Sequence, residues 1–433
     1  MDERARPEAL TPSAPARPAI PADPSSAELD AAHASFVARR ASGVVPPELQ
    51  RRAAEPVGSP SFARGLWRIA AADVSSGNRV TLLRDGPATF TAMLGLIAEA
   101  DHAVNLEGYI FRHDEVGQQF SAALVEAARR GVAVRVLVDW IGRMGTPHSF
   151  FDEMRRGGVD VRLFNTPGFR AWLGLVPRDH RKLLVVDGHS GVTGGIGIGL
   201  EWKTGVLKRR GAPWRDTAVM IEGDAATDMT NAFERMWRRA IGTERRGSHR
   251  HLTRPARATH LDPNVHPPAL VGIIEGEPGR FRVSRALQIQ AVSAERSIWI
   301  ASAYFTPGPS EVEALNGAAR DGVDVRVLVP SRYDHPWIRL ATRRFYRRLL
   351  QNGVRIWEWR GEMMHAKTSV VDRRWTRIGS TDYNPLGVAI NFELDAVIED
   401  RVLGAQAEAM FLEDLERSKE ITIGTLAGQE GGD

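Results

Sequence analysis

The chain has no cysteine in 433 residues. Disulfides, thiolate metal sites and thiol nucleophiles are therefore excluded. Lysine is scarce as well: five residues stand against 52 arginines, so arginine supplies the cation almost everywhere. No apolar run approaches the roughly 18 residues that would suggest a transmembrane helix. The N-terminus opens on Asp2, Glu3 and Arg4, followed by alanine and proline, and lacks the apolar stretch of a signal peptide. The formal charge is only +4, too small to imply a nucleic-acid partner by itself.

What is present is the composition of a soluble globular protein, 43% hydrophobic and 25% charged, with enough length for two domains. Residues 1–60 are rich in Ala, Pro, Ser and Arg and read as a mobile leader, in which Ser26–Arg40 has helical composition. From about Gly77 onward helical and extended segments alternate. Phe90–Ala100 has helical periodicity, Ala103–Phe111 reads as a strand, Gln118–Arg130 as a helix closed by Gly131, and Val132–Trp140 as a buried strand. The pattern then returns. Ala318–Val329 repeats Ala127–Val138 at an offset of 191 residues, and Tyr304-Phe305 echoes Tyr109-Ile110-Phe111. A period this long marks a duplicated domain rather than a solenoid. The expected fold is α/β: two similar α-β-α sandwich lobes related by pseudo-two-fold symmetry, with the active site between them. The lobes are placed at 61–241 and 269–425, joined by a linker at 242–268 and followed by a tail at 426–433.

Each half carries one His-x-Lys-x4-Asp motif: His180, Lys182 and Asp187 in the first, His365, Lys367 and Asp372 in the second. On a strand, residues i and i+2 share a face, so each histidine projects with its lysine. Two of the five lysines fall in these motifs, where a compact point charge suits a crowded phosphate better than the arginine fork. The combination fits phosphodiester chemistry: one imidazole attacks phosphorus, the other protonates the leaving oxygen, and the lysines neutralise the developing charge without a metal or other cofactor. Asp187 and Asp372 are counted among the catalytic candidates, with turn formation at the strand end as the alternative. An imidazole that becomes cationic needs an orienting acceptor. Asp216 and Glu393 begin equivalent strands downstream of the motifs and are expected to orient His180 and His365 respectively.

These residues resemble the phospholipase D superfamily over roughly residues 77–420. Within it, Leu106–Phe111, Gly194-Gly195-Ile196, Trp214–Thr217, Gly379-Ser380-Thr381 and Asn391-Phe392-Glu393 are similar to bacterial cardiolipin synthases, of the type without N-terminal transmembrane helices. The resemblance implies transfer of a phosphatidyl group to phosphatidylglycerol through a covalent phosphohistidine, with His180 as nucleophile and His365 as acid. It also implies a place on the inner face of the bacterial plasma membrane, and phosphate-binding roles for Gly194, Gly195, Gly379 and Ser380. Where the superfamily often has Gly-Ser-x-Asn, this chain has Gly197 and Asp382 in place of the asparagines.

Two stretches suit peripheral contact with an anionic membrane: Phe164–Val176, with Phe169, Trp172, Leu173 and Leu175, and Trp337–Leu350, where Arg339, Arg343 and Arg347 form a stripe on a single helix. The alternative substrate readings are plain phospholipase D-type hydrolysis, or a nuclease using the same histidines with Arg245, Arg246, Arg250, Arg254 and Arg257 tracking the backbone. A lipid substrate ranks above nucleic acid. Oligomeric state is left open.

Overall fold

The computed structural model describes residues 66–165, 177–204, 212–242 and 269–430. The expected leader, the linker beyond Gly242 with its five arginines, and the aromatic residues at 169–175 lie outside these. Among the described residues, fifteen strands form one sheet. Those of the first lobe are β1 (Asp73–Arg84), β2 (Ala103–Gly108), β3 (Ala133–Asp139), β4 (Asp160–Phe164), β5 (Lys182–Val186), β6 (Ser190–Gly194) and β7 (Thr217–Glu222). Those of the second are β8 (Ala269–Gly276), β9 (Ser297–Ser302), β10 (Asp324–Pro330), β11 (Arg355–Trp359), β12 (Lys367–Val371), β13 (Trp375–Gly379), β14 (Glu393–Glu399) and β15 (Ser418–Ile421).

Outward from the middle, the first half runs β1-β7-β6-β5-β2-β3-β4 and the second runs β8-β14-β13-β12-β9-β10-β11, with β15 added at the outer edge. The duplication seen in the sequence is thus a duplication of strand order. The halves meet where β1 pairs antiparallel with β8. β1 is long because it serves both: Arg79–Arg84 pair with β7, while Asp73–Ser75 and Asn78 pair with β8 across a register shift. Gly77 takes the left-handed conformation that this irregularity requires (φ 85°). Asn78 then stitches the joint, donating to the Ser75 and Ala269 carbonyls and accepting from the Ala225 amide.

The helices cover both faces. In the first lobe α1 (Asp85–Glu99), α2 (Glu115–Arg129) and α3 (His148–Arg156) pack on one side. α2 is capped by Asp114, whose carboxylate accepts from the Val116 and Gly117 amides. α4 (Asp224–Ala240) packs on the other side. β5 shows why the motif strands are apolar throughout: Leu184 and Val186 face one layer while Leu183 and Val185 face the other. In the second lobe α5 (Arg282–Ser293) and α6 (Pro309–Arg320) lie on one face. The cluster under α4 also takes in Val271, Ile273, Ala396 and Ile398, so one core spans the β1–β8 joint.

Two expectations about the surface are corrected. Phe164 is a core residue at the end of β4, 4% exposed. The stretch 337–350 is two helices, α7 (Pro336–Arg343) and α8 (Tyr346–Gln351). Arg343 turns inward onto Glu358 (3.0 Å), because a buried carboxylate needs a cation more than the surface does. Trp337 and Leu340 point outward instead, 66% and 70% exposed. Two further helices close the described chain: α9 (Arg401–Glu416), which packs on the second lobe, and α10 (Ile423–Glu430), in which the expected tail begins. Among the described residues no helix is long and apolar enough to cross a membrane.

Candidate active site

The histidines lie on the chain leading into β5 and β12, and the backbone of each lead-in bridges to the opposite lobe. The His180 amide donates to the Phe392 carbonyl (2.9 Å), and the Phe392 amide donates to the Arg178 carbonyl (2.8 Å). In the same way the His365 amide donates to the Arg215 carbonyl (2.7 Å), and the Arg215 amide to the Met363 carbonyl (3.0 Å). Residues 392 and 215 immediately precede Glu393 and Asp216. Each histidine is therefore fastened beside the carboxylate of the opposite lobe.

The side chains follow the backbone. His180 Nδ1 lies 3.1 Å from both Glu393 oxygens, and His365 Nδ1 lies 2.8 Å from Asp216 Oδ2. The expected pairing within each lobe is thus corrected to a crossed one. Repeat alignment identified equivalent carboxylates but could not show which lobe each faces. Both are buried, and each is held by a second donor: the Ser380 hydroxyl for Glu393, and the Trp202 indole N–H for Asp216 (2.8 Å). Burial pushes the Glu393 carboxyl up to about 8, against the pull of Lys182.

The lysines also match across the lobes. Lys182 Nζ donates to the His180 carbonyl (2.6 Å) and lies 5.5 Å from the Tyr109 ring centre; Lys367 Nζ donates to the His365 carbonyl (2.7 Å) and lies 5.6 Å from the Tyr304 ring centre. Beyond this the symmetry breaks. Lys367 is also 3.0 Å from His365 Nε2 and 3.3 Å from Asp382, whereas no residue among those described hydrogen-bonds His180 Nε2. Burial, with the fields of Lys182, Lys367 and His365 adding to it, holds His180 well below the usual imidazole range. That the groups of the second motif act on His180 places both motifs in one electrostatic cluster. Burial and Lys367 lower His365 too, and burial brings Lys182 down to about 8.

Asp187 and Asp372 are not in this cluster. Each ends its motif strand, five residues beyond the lysine, about 17 Å away at the usual strand rise. Each receives three backbone amides: those of Asp101, His102 and Ala103 for Asp187 (2.7–2.9 Å), and those of Glu295, Arg296 and Ser297 for Asp372 (2.7–2.8 Å). Their expected catalytic role is replaced by a structural one, fixing the starts of β2 and β9. The expected phosphate ligands are likewise engaged elsewhere. The Gly195 and Ser380 amides donate to the Thr217 and Leu394 carbonyls, and the Ser380 hydroxyl holds Glu393. Gly194, Gly195 and Gly379 leave room for β7 and for the Asp216 and Asp395 carboxylates, which a Cβ would strike.

Sequence reasoning missed the aromatic surround. Trp202, Trp214 and Tyr304 lie 5.5, 5.5 and 6.1 Å from the His365 ring, and Tyr109 lies 4.9 Å from His180. The tyrosines were visible as a repeat without a role. Trp202 had no signal, since nothing in the second lobe corresponds to it. Its ring fills the space that a side chain at Gly197 would need. Asp382, the other departure, is turned onto Lys367, Ser302 and the Tyr304 amide.

A duplicated α/β sheet that brings a histidine and a lysine from each half together defines a phospholipase D-like protein. The family description "Cardiolipin synthase, PLD-like domain" matches residues 93–237 and 288–415. A cardiolipin synthase of Geobacillus kaustophilus is 34% identical over 77% of this chain and 66% of its own length. Cardiolipin synthase A of Pseudomonas aeruginosa is 31% identical over 86% of this chain and 74% of its own length. Among solved structures, a phosphatidylserine synthase of Haemophilus influenzae shares the fold with a TM-score of 0.64 at 14% identity, covering 83% of this chain and 92% of that one. The chain belongs to the PLD-like cardiolipin synthase family. It spans about two thirds of the length of the Geobacillus relative.

The crossed pairing has a direct test. Asp216→Asn removes a charge that favours the His365 imidazolium, so the His365 pKa should fall while His180 keeps its own. Histidine titration by NMR checks this, and a shift confined to His180 would restore the within-lobe pairing.

Proposed function

We propose that this protein transfers a phosphatidyl group from one phospholipid to a hydroxyl of phosphatidylglycerol, forming cardiolipin. The reading rests on the difference between the two Nε2 atoms. His180 Nε2 carries no partner among the described residues and its imidazole is held neutral, as a nucleophile must be. His365 Nε2 accepts a hydrogen bond from Lys367, so a proton can reach it along that contact and pass on to a leaving oxygen.

In the first step His180 Nε2 attacks phosphorus and a P–N bond forms as the P–O bond to the leaving headgroup breaks. Burial and Lys367 disfavour the His365 imidazolium, so the proton that reaches the leaving oxygen is drawn through the Nζ–Nε2 hydrogen bond. Glu393 supports the positive charge that develops on the His180 ring, and its raised pKa lets it share the Nδ1 proton. Lys182 and Lys367 neutralise the phosphoryl oxygens. In the second step the acceptor hydroxyl attacks phosphorus, its proton passes to His365, and the P–N bond breaks.

The lipid surface is met at α7, where exposed Trp337 and Leu340 stand beside exposed Arg339 and Arg344. Apolar tips flanked by cations suit an anionic interface, consistent with a peripheral position on the membrane.

Pure protein with phosphatidylglycerol vesicles should give cardiolipin and glycerol. His180→Ala and His365→Ala should each lower the rate by at least about a hundredfold. A covalent phosphoenzyme that persists in His180→Ala would reverse the assignment of nucleophile. Lys182 is cationic below about 8 and neutral above it, so the rate should decline as pH rises through that value; a profile flat well beyond it would remove Lys182 from charge neutralisation. In flotation assays the double variant W337S/L340S should bind anionic vesicles about tenfold more weakly or worse, and unchanged binding would place the contact elsewhere.

A further inference from the structure

The two histidine lead-ins repeat each other in backbone but not in what lies beneath them. Asp179 and Arg181 flank His180 and project to the opposite side of the strand. Arg181 there reaches the Ala232 carbonyl of α4 (3.3 Å). The register of β2 on β5 brings Glu107 to the same side, since it is paired with Leu183, two residues beyond Arg181. All three charged residues are buried, and the Glu107 and Asp179 side chains meet. In the second lobe the same backbone positions are Met364 and Ala366, which flank His365, and Ala301 on β9. Those three belong to one apolar cluster. The fold therefore supports a histidine at this place with no charge behind it, and the ionic group behind His180 is an addition of the first lobe.

The pair of carboxyls has too few donors around it for both to be ionised. Glu275 on β8 takes two guanidiniums, Arg181 at 3.1 Å and Arg235 of α4 at 2.5 Å. Beyond it Arg282 is paired with Glu277 (3.1 Å). Asp139, at the end of β3, accepts the Asp179 and Ile141 amides (3.0 and 2.9 Å) and lies in the field of Arg178. Arg181 Nε stands 4.0 Å from Glu107, too far for a hydrogen bond. Among the described residues neither Glu107 oxygen has a donor, and Asp179 Oδ2 has none either. Two carboxylates in contact at this depth cannot both be anions. One proton on Glu107 resolves this, because the acid then donates to Asp179 Oδ2. Burial and the Asp179 charge raise the Glu107 carboxyl well above its ordinary range, and burial brings Asp179 up to about 6.

Asp179 connects this proton to the imidazole. Its amide is held by Asp139, its Oδ1 accepts the Arg181 amide (3.3 Å), and the His180 amide between them goes to Phe392 across the lobes. We propose that Glu107 is a positioning residue for His180 that works as a neutral acid: its carboxyl proton is donated to Asp179, which fixes the peptides on either side of the histidine and keeps Nε2 aimed at phosphorus. The aim at phosphorus rests on the transferase reading, whereas the shared proton does not.

The full chain is tested by stability against pH, by the His180 ring signals in NMR and by cardiolipin formation. A carboxyl whose pKa is higher folded than unfolded stabilises the fold below its ordinary range, and that contribution is lost as pH rises toward the folded value. Parent stability should therefore decline with rising pH above the usual glutamic acid range. Glu107→Gln donates an N–H in place of the O–H and cannot ionise, so it should remove that decline and be at least as stable as the parent at neutral pH. Glu107→Leu, of similar size but without a donor, should move the His180 signals while those of His365 stay, and lower kcat about tenfold or more with KM little changed. Glu107→Gln should restore both the signals and most of the lost kcat. A Glu107→Gln variant less stable than the parent at neutral pH would make Glu107 an anion serving Arg181 and overturn the proposal. Parent-like His180 signals and kcat in Glu107→Leu would overturn it too, and if that variant does not fold the Gln comparison decides. A parent protein that makes no cardiolipin would sink the transferase reading, while the stability and NMR arms still judge the shared proton.

Discussion

The site depends on two imidazole–carboxylate contacts that cross between the lobes. Glu393 and Asp216 are 1% and 0% exposed, and a carboxylate at such depth is costly unless it is bonded and balanced by nearby cations. Each has a donor in its own half, Ser380 or Trp202, and takes its histidine from the other half. The lead-in to one motif lies along the residue before the opposite carboxylate, so the lobes cannot separate without unpairing both histidines. Arg215 fastens the same crossing from outside: its backbone receives the His365 amide, and its guanidinium reaches Asp414 on α9 (2.8 Å) and Asp85 at the start of α1 (3.1 Å). The continuous sheet through β1 and β8 gives this arrangement a rigid frame.

Duplication supplied two equal half-sites, and single substitutions made them unequal. Ser380 and Trp202 perform one task, donating to a buried carboxylate, but Trp202 does it from a different place and fills the room left by Gly197. Asp382 draws Lys367 toward itself, while Lys182 has no such ion pair among the described residues and stays in the field of Glu393. Among the described residues, one imidazole ends with an Nε2 that has no partner and the other with an Nε2 bonded to a lysine. Nucleophile and acid are separate tasks, and a strictly symmetric site would not separate them.

Buried arginines elsewhere serve the scaffold. Arg181 is 1% exposed and reaches Glu275 (3.1 Å); Arg377 is fully buried on Asp395 (2.8 Å). Arg235 and Arg181 hold the Glu275 carboxyl at about 2 despite its burial, which fixes it as an anion beneath the joint of the lobes. At such places a planar fork can satisfy a carboxylate at several points, which a lysine ammonium does less well.

The sequence by itself determined what is local or periodic. The α/β alternation, the repeat, both His-x-Lys pairs and the equivalence of Asp216 with Glu393 were legible, because strand periodicity and fixed spacing are properties of short segments. Tertiary structure decided what depends on chain segments far apart. It crossed the carboxylates, sent Asp187 and Asp372 to the far ends of their strands, and turned Arg343 inward while leaving Trp337 outside. It also brought Trp202 to His365 across 163 residues. Burial and charge at each of these positions come from the opposite lobe or a neighbouring layer, and no window of sequence contains both partners.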